Sequence, residues 1–288
     1  MKKLVVGIIL SSMLMATLAG CGNSSGFNTG KSINATTREE GSGTRGAFIE
    51  LFGLEEKQDD GTKKDMISKD IGVENNTNTI LSTVQNDVYA IGYVSMGSLN
   101  DSVKAVQIDG VDATAANVQN NTYKISRPFN IAVKDDAAEL ATDFVDFILS
   151  KEGQEVVADS YISIDESATT YAGGKPSGTI TVGGSSSVSP LMEKLIERYE
   201  EVNPNASVQL QISDSSIGMT KTLEGAYDIG MASRELKDSE SESLQATQIA
   251  LDGIAIIVNK ENTVTSLSED DVKKIYLGET EAWSDVIK

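Results

Sequence analysis

The chain alternates between short apolar runs and longer segments in which apolar side chains recur every three or four residues. The runs at 88–94 and 249–258 are rich in valine, isoleucine and alanine, which is typical of buried strands. Apolar residues at helical spacing predict amphipathic helices over 136–149 and 188–199, and one or two helical turns over 79–84. Strands that alternate with helices predict an α/β fold with mixed, mostly parallel sheets.

Polar turns rich in serine and glycine follow several predicted strands or open predicted helices. They lie at 41–44, 183–187 and 213–218, and a fourth polar pair, Ser233-Arg234, follows a strand. Ligands of α/β sheets bind where the carboxyl ends of strands meet helix N-termini, so these turns are candidate binding loops. Each turn alone is also a common helix cap, and only the four together indicate a site.

The segment 38–45 reads Arg-Glu-Glu-Gly-Ser-Gly-Thr-Arg and precedes an apolar stretch with helical spacing. Glycines let the backbone approach a ligand closely, and a helix start adds N–H donors and partial positive charge. Arg38 and Arg45 can supply full charge and forked donors. This combination suits a tetrahedral oxyanion. On these eight residues alone, a capped helix start with solvated arginines is an equal alternative.

Composition narrows the possible functions. The formal net charge of −19 argues against binding nucleic acid through its phosphates. The chain has no histidine, which removes the commonest general base and the commonest metal ligand. We find no acidic cluster with metal-ligand spacing, so we predict no catalytic residue, no metal ligand, no cofactor and no enzyme activity.

The N-terminal sequence predicts export from the cytoplasm. Two lysines precede an apolar segment that ends in Leu-Ala-Gly-Cys, with Cys21 as the only cysteine of the chain. This pattern predicts a lipoprotein signal peptide at 1–20 and a tether at 21–31. Acylated Cys21 would anchor the protein in the lipid bilayer, at the extracytoplasmic face of a bacterial cell membrane. An ordinary cleaved signal peptide is the alternative.

Several segments together resemble one known family. Gly-Gly-Ser-Ser-Ser-Val-Ser-Pro begins at 183, Asp-Ile-Gly-Met-Ala-Ser-Arg-Glu-Leu at 228 and Ala-Leu-Asp-Gly-Ile-Ala at 250. With the segment 38–45, they resemble the phosphate-binding lipoproteins of Pst-type phosphate ABC importers. The resemblance covers nearly everything from residue 31 onward. It implies a two-lobed, type 2 periplasmic-binding-protein fold that closes over inorganic phosphate and delivers it to ABC permease subunits.

The order of the two halves departs from the family pattern. In the family the half that resembles 179–288 comes first, and the half that resembles 31–170 follows. We interpret this as a circular permutation; a truncated or mis-assembled piece of a longer tandem protein is the alternative. The exchange predicts one lobe built from 31–96 plus 258–288, which carries the segment 38–45. It predicts a second lobe at 97–257, which carries the serine-rich loops.

The resemblance implies phosphate-binding residues in both lobes. In the first lobe Glu40 would accept the proton of monohydrogen phosphate, which sulfate lacks; a solvated turn carboxylate is the alternative for this residue. The implied donors are Arg38, Ser42, Gly43 and Thr44 in the first lobe and Ser186, Ser187, Ser215, Ser233 and Arg234 in the second. Two other functions stay open: a receptor for sulfate, molybdate or another oxyanion, and a surface or sensor protein without a transport role.

Overall fold

The structure is a computed structural model that describes residues 26–58 and 63–287. Cys21 and the predicted signal peptide lie outside the described residues. The first half of the chain contains β1 (Asn34–Arg38), α1 (Gly43–Leu51), β2 (Glu55–Lys57), β3 (Lys63–Asp65), β4 (Gly72–Glu74), α2 (Thr77–Asn86), β5 (Ala90–Ser95), β6 (Lys104–Ala105), β7 (Gln107–Ile108), α3 (Ala115–Gln119), β8 (Ser126–Val133), α4 (Glu139–Leu149) and α5 (Lys151–Ala158). The second half contains β9 (Gly178–Ser185), α6 (Ser189–Val202), β10 (Ala206–Ser213), α7 (Ser215–Leu223), β11 (Ile229–Ala232), α8 (Asp238–Ser241), β12 (Gln245–Val258), β13 (Ser266–Leu267) and α9 (Glu269–Leu277). Short 3-10 turns cover Met96–Ser98 and Trp283–Asp285.

A nine-stranded mixed sheet runs through the molecule in the order β10-β9-β11-β8-β12-β5-β1-β4, with β6 beside β12. The outer strands pair in parallel at both ends of this order. The long strand β12 lies at the centre, where residues 245–253 pair antiparallel with β8 and residues 254–258 pair antiparallel with β5. The mixed α/β class predicted from the sequence is confirmed.

The two larger hydrophobic cores form along the two halves of this central strand, and a small third cluster contains Ala132, Met219, Ala232 and Leu244. The first core contains buried side chains from 47–125 and 254–286, with Ile162, and the second contains those from 129–161 and 180–250. Val103 and Tyr123 pack in the first core, and the Tyr123 hydroxyl donates to the carbonyl oxygen of Ile254 at 2.7 Å. The boundaries between the two cores therefore lie near residues 126 and 253. The first of them lies later in the chain than the boundary predicted at 96/97.

Strands β8 and β12 both pass between the two cores, and an ion pair joins them there. Arg127 lies opposite Asp252 in the antiparallel register. Arg127 Nη2 donates to Asp252 Oδ2 at 3.1 Å, and the two side chains are only 2% and 0% exposed. Ser95 Oγ of β5 donates to the other carboxylate oxygen at 2.8 Å. The two crossing strands are thus joined by a fully buried polar contact.

The segment that follows the predicted signal peptide packs against the first core. Phe27, inside the predicted tether, contacts the rings of Tyr89 and Trp283 with centroid distances of 5.4 and 5.7 Å. The backbone N–H of Trp283 donates to the carbonyl oxygen of Lys31 at 3.1 Å. The two ends of the described chain therefore lie side by side. Within residues 26–58 and 63–287, every helix is too short or too polar to cross a bilayer.

Candidate functional site

Four helices begin where the two cores meet. Helices α1 and α2 pack in the first core, α6 packs in the second core, and α7 packs on β9 and β11. The hydroxyl of Thr44 in α1 lies 2.6 Å from that of Ser187, just before α6. The N–H group of Ser216 in α7 donates to the carbonyl oxygen of Gly41 at 3.2 Å. The helix starts on both sides of the molecule therefore converge on one buried polar cluster.

Arg38 is the charged centre of this cluster. It is the last residue of β1 and is 2% exposed. Its Nη2 donates to Ser186 Oγ at 3.1 Å, across the boundary between the cores, and its Nη1 donates to Thr77 Oγ1 at 3.3 Å. Its N–H group donates to the Tyr93 hydroxyl at 3.2 Å. The guanidinium is thus held at the junction by contacts to both sides.

Most other side chains of the cluster are neutral hydroxyls. Ser185 Oγ donates to Ser233 Oγ at 3.0 Å, and the N–H group of Ser233 donates to Ser215 Oγ at 3.2 Å. Ser215 and Ser233 are fully buried. A hydroxyl can donate or accept as its partner requires. Because these groups are bonded mainly to one another, they can rotate to present donors to a bound anion.

Two glycines permit the close approach of the segment 38–45 to the opposite loops. A Cβ at Gly43 would lie 2.5 Å from Ser215 Oγ and 2.7 Å from Ser233 Oγ. A Cβ at Gly41 would lie 2.5 Å from the carboxyl group of Asp214. A Cβ at Gly43 would also lie 3.1 Å from the backbone carbon of Ser233, so a larger residue there would push the two sides apart. A larger residue at Gly41 would displace the Asp214 side chain.

Two predicted donors have other partners in the structure. Ser42 is the N-cap of α1, and its Oγ accepts the N–H of Arg45 at 3.3 Å. Both terminal nitrogens of Arg234 donate to the carboxylate of Glu240 at 2.8 Å. Burial opposes ionisation of Glu240, but hydrogen bonds from Arg234 and from the N–H of Lys237 outweigh it, so the pKa of Glu240 is lowered. The charge of Arg234 is thus already paired.

The acidic residue that contacts Arg38 is Glu39. Its two carboxylate oxygens accept from Arg38 Nε at 2.8 Å and Nη2 at 2.7 Å. Glu40, the predicted acceptor, is exposed, and its carboxylate has no hydrogen-bond partner among the described residues. Neighbouring residues of this turn point in different directions, so only one of the two carboxylates reaches the arginine.

Sequence reasoning did not assign Thr77, Ser185 or Glu39 to the site. Thr77 is the first residue of α2, which begins two residues earlier than the predicted helical turns at 79–84. The available signal was Asn76, which caps the helix by accepting the N–H of Thr79 at 2.9 Å. Asparagine three residues before threonine is a helix-start pattern. Across the described residues, histidine, cysteine and carboxylate side chains form no group of three that could hold a metal ion.

The fold agrees with the comparisons to known proteins. A family model described as PBP superfamily domain matches residues 23–152 and 169–288, so the chain belongs to the PBP superfamily. "Phosphate-binding protein PstS 2" of Streptococcus agalactiae serotype V is 50% identical to it over 290 residues, which cover 100% of this chain and 99% of the relative. A crystal structure of a phosphate-binding protein of a phosphate ABC transporter, from Streptococcus pneumoniae, is 42% identical. It matches with a TM-score of 0.70 over 89% of this chain and 100% of that one.

Other relatives match over a much shorter range. "Phosphate-binding protein PstS" of Staphylococcus haemolyticus is 40% identical over 111 residues, which cover 36% of this chain and 35% of the relative. The full-length match to the streptococcal protein shows that this chain shares its order of segments with at least one relative.

Proposed function

We propose that this protein is an extracytoplasmic receptor that binds inorganic phosphate between its two cores and delivers it to an ABC permease. The observation that carries the proposal is the buried cluster in which Arg38 and Thr44 on one side contact Ser186 and Ser187 on the other. The names of the relatives support phosphate as the ligand and an ABC transporter as the destination. Those relatives are named as binding proteins, which supports binding without bond chemistry.

The physical demands of phosphate fit this arrangement. A doubly charged anion loses its hydration when it is buried, so it needs many donors from the protein. The net charge of −19 repels anions at long range, so attraction must come from local dipoles and from Arg38. Hydroxyls, backbone N–H groups at helix starts and one arginine supply such local attraction. Because the donors come from both cores, binding would hold the two sides together.

We propose that the two cores are the two lobes of the receptor and that β8 and β12 are the hinge segments between them. Lobe closure over a ligand is a common mechanism of binding proteins. The proposed phosphate-binding residues are Arg38, Ser42, Gly43, Thr44, Ser186, Ser187, Ser215, Ser233 and Arg234, with Glu40 kept as a candidate acceptor that the contacts of Glu39 argue against.

Isothermal titration with inorganic phosphate and with sulfate tests this proposal. We expect phosphate to bind with one site per chain and sulfate to bind much more weakly. Thr44→Val should weaken phosphate binding by about tenfold, because it removes one hydrogen bond to a charged ligand. Thr142→Val is the matched control, since Thr142 is exposed on α4 and bonds only its own helix. Absence of phosphate binding would refute the proposal of a phosphate receptor. Preference for sulfate would favour the alternative, a receptor for another oxyanion.

We propose that the two halves of the chain are circularly permuted relative to relatives such as the staphylococcal protein. The short range of that match supports exchange, since a collinear comparison can follow only one half. The proximity of the two ends also supports it, because Ser284 N–H donates to the carbonyl oxygen of Thr29 at 2.7 Å. A rearranged gene that places 179–287 before 31–171 should give a folded protein with the same phosphate affinity. A rearranged chain that does not fold would contradict the proposal.

The membrane anchor stays a proposal that rests on the sequence around Cys21. Radiolabelled palmitate should label the wild-type protein in bacterial cells. Cys21→Ala should abolish the label and release the protein from the membrane fraction. Retention of Cys21→Ala in the membrane fraction without label would indicate an uncleaved signal segment instead of a lipid.

A further inference from the structure

We propose that Thr77 is a further phosphate-binding residue and that α2 contributes a fourth helix start to the site. This inference rests on the proposed function. It adds a segment of the chain to those that the sequence implicated, because Thr77 lies outside every motif that pointed to the site.

The contacts of Thr77 place its hydroxyl among the proposed ligand donors. Its Oγ1 lies 3.3 Å from Arg38 Nη1, 3.2 Å from Ser186 Oγ and 3.4 Å from Ser187 Oγ. Its N–H group also points across the junction, toward Ser186 Oγ at 3.4 Å. Thr77 is 4% exposed. It is therefore a buried first-core residue that reaches both serines of the opposite loop.

The start of α2 does not need the Thr77 hydroxyl. Asn76 is the N-cap, and the capping box with Thr79 satisfies both partners. A threonine that only began the helix would not need its hydroxyl beside a buried arginine. The helix cap uses neither the N–H nor the hydroxyl of Thr77, whose contacts are with Arg38, Ser186 and Ser187. The positive end of the α2 dipole faces the same point.

Thr77 also lines a cleft beside the cluster. A cleft of about 880 Å³ opens beside it, and Thr77 and Ser186 are the cluster residues that line this cleft. Its other walls include the uncharged polar residues Asn76, Ser98 and Ser213 and one acidic residue, Glu193. An anion that entered from this cleft would meet Thr77 and Ser186 before the deeper hydroxyls of Ser215 and Ser233.

Titration of three variants with inorganic phosphate tests this inference. Thr77→Val keeps the shape and the N–H but removes the hydroxyl, and we expect phosphate affinity to fall by about tenfold. Thr77→Ser restores the hydroxyl and should bind within about twofold of wild type. Thr83→Val is the control on the same helix, because its hydroxyl bonds Glu74 Oε1 at 2.8 Å and lies outside the cluster. It should leave affinity unchanged.

The outcomes separate this inference from the proposed function. If the wild-type protein binds no phosphate, both the proposed receptor function and the proposed role of Thr77 are refuted. If wild type binds and Thr77→Val binds equally well, only the inference is overturned. Should Thr77→Val fail to fold, a crystal structure of the wild-type phosphate complex decides the question. The inference requires Thr77 Oγ1 within hydrogen-bond distance of a phosphate oxygen. A complex in which Thr77 makes no hydrogen bond to phosphate overturns it.

Discussion

Arg38 and Arg127 are equally buried, at 2% exposure each, yet their surroundings differ. Arg127 donates through Nη2 and Nε to Asp252, at 3.1 and 3.3 Å, and that carboxylate is inaccessible to solvent. Arg38 pairs with Glu39, whose side chain is 20% exposed, and otherwise contacts neutral hydroxyls.

This difference in partners separates a structural arginine, Arg127, from the arginine that we propose binds phosphate, Arg38. The register of β8 against β12 fixes Asp252 beside Arg127, and neither charge can leave the other without a large penalty. The partners of Arg38 are a turn carboxylate at the surface and hydroxyls that can rotate. Replacement of such partners by a ligand therefore costs less free energy than separation of the buried Arg127–Asp252 pair. Burial alone therefore does not distinguish the two arginines, but the chemistry and exposure of their partners do.

The largest effect that we predict is on stability, from Arg127→Met. Removal of one partner of a buried ion pair leaves an uncompensated charge on Asp252. We expect the free energy of unfolding to fall by about 3–5 kcal/mol, measured by urea denaturation. The double variant Arg127→Met with Asp252→Leu should recover much of this loss, since it removes both charges. A single variant as stable as wild type would contradict the structural role.

The second prediction concerns Arg38→Ala, which should act on binding more than on stability. Loss of a charged donor to a buried anion should weaken phosphate binding by about tenfold to a hundredfold, measured by isothermal titration. The free energy of unfolding should change less than in Arg127→Met, because the remaining Glu39 carboxylate can reach solvent. Unchanged phosphate affinity would remove Arg38 from the site.

Local sequence could indicate the proposed binding arginine but not the structural one. Arg38 and Thr44 belong to a glycine-rich turn before a helix, so the pattern on which the proposed site rests lies within eight residues. Arg127 and Asp252 are 125 residues apart, and their pairing depends on which strands lie side by side. No short pattern encodes that register, because it is fixed by the packing of both cores.

Within the site itself, the sequence could predict which loops meet but not which side chain of each loop faces inward. Glu39 and Glu40 are chemically alike, and the path of one turn decides which of them reaches Arg38. Asn76 could indicate a helix start at Thr77, but it could not indicate that the Thr77 hydroxyl faces Arg38. These details depend on backbone direction, which tertiary contacts determine.

The third prediction tests the Arg127–Asp252 pair through the pH dependence of the free energy of unfolding. Burial raises the pKa of Asp252 to about 6, although Arg127 and Ser95 favour its ionised form. The folded protein therefore binds a proton more readily than the unfolded chain between the usual value of 3.8 and about 6. In that window the contribution of Asp252 to the free energy of unfolding falls as pH rises, and it is constant above the window. Asp252→Asn should remove this contribution, as measured by urea denaturation across the window. An identical pH dependence in the variant would show that Asp252 does not titrate there.

The smallest effect that we predict concerns the choice between phosphate and sulfate. A carboxylate near the bound anion can accept the proton of monohydrogen phosphate, whereas it repels sulfate, which has no proton to give. Because Glu39 contacts Arg38 and Glu40 is exposed, Glu39→Gln should narrow the preference for phosphate over sulfate by a few-fold to about tenfold. Glu40→Gln is the matched control and should leave the ratio of the two affinities unchanged.

Competition titrations of both variants at one pH measure that ratio directly. A change in Glu40→Gln alone would mean that the turn rearranges when the anion binds and that Glu40 is the acceptor. A change in neither would mean that the two carboxylates of this turn do not select the ligand. Either result would alter the contrast with Arg127. The partner of Arg127 has to be a fixed carboxylate, whereas the partner of Arg38 would then be dispensable for selecting the ligand.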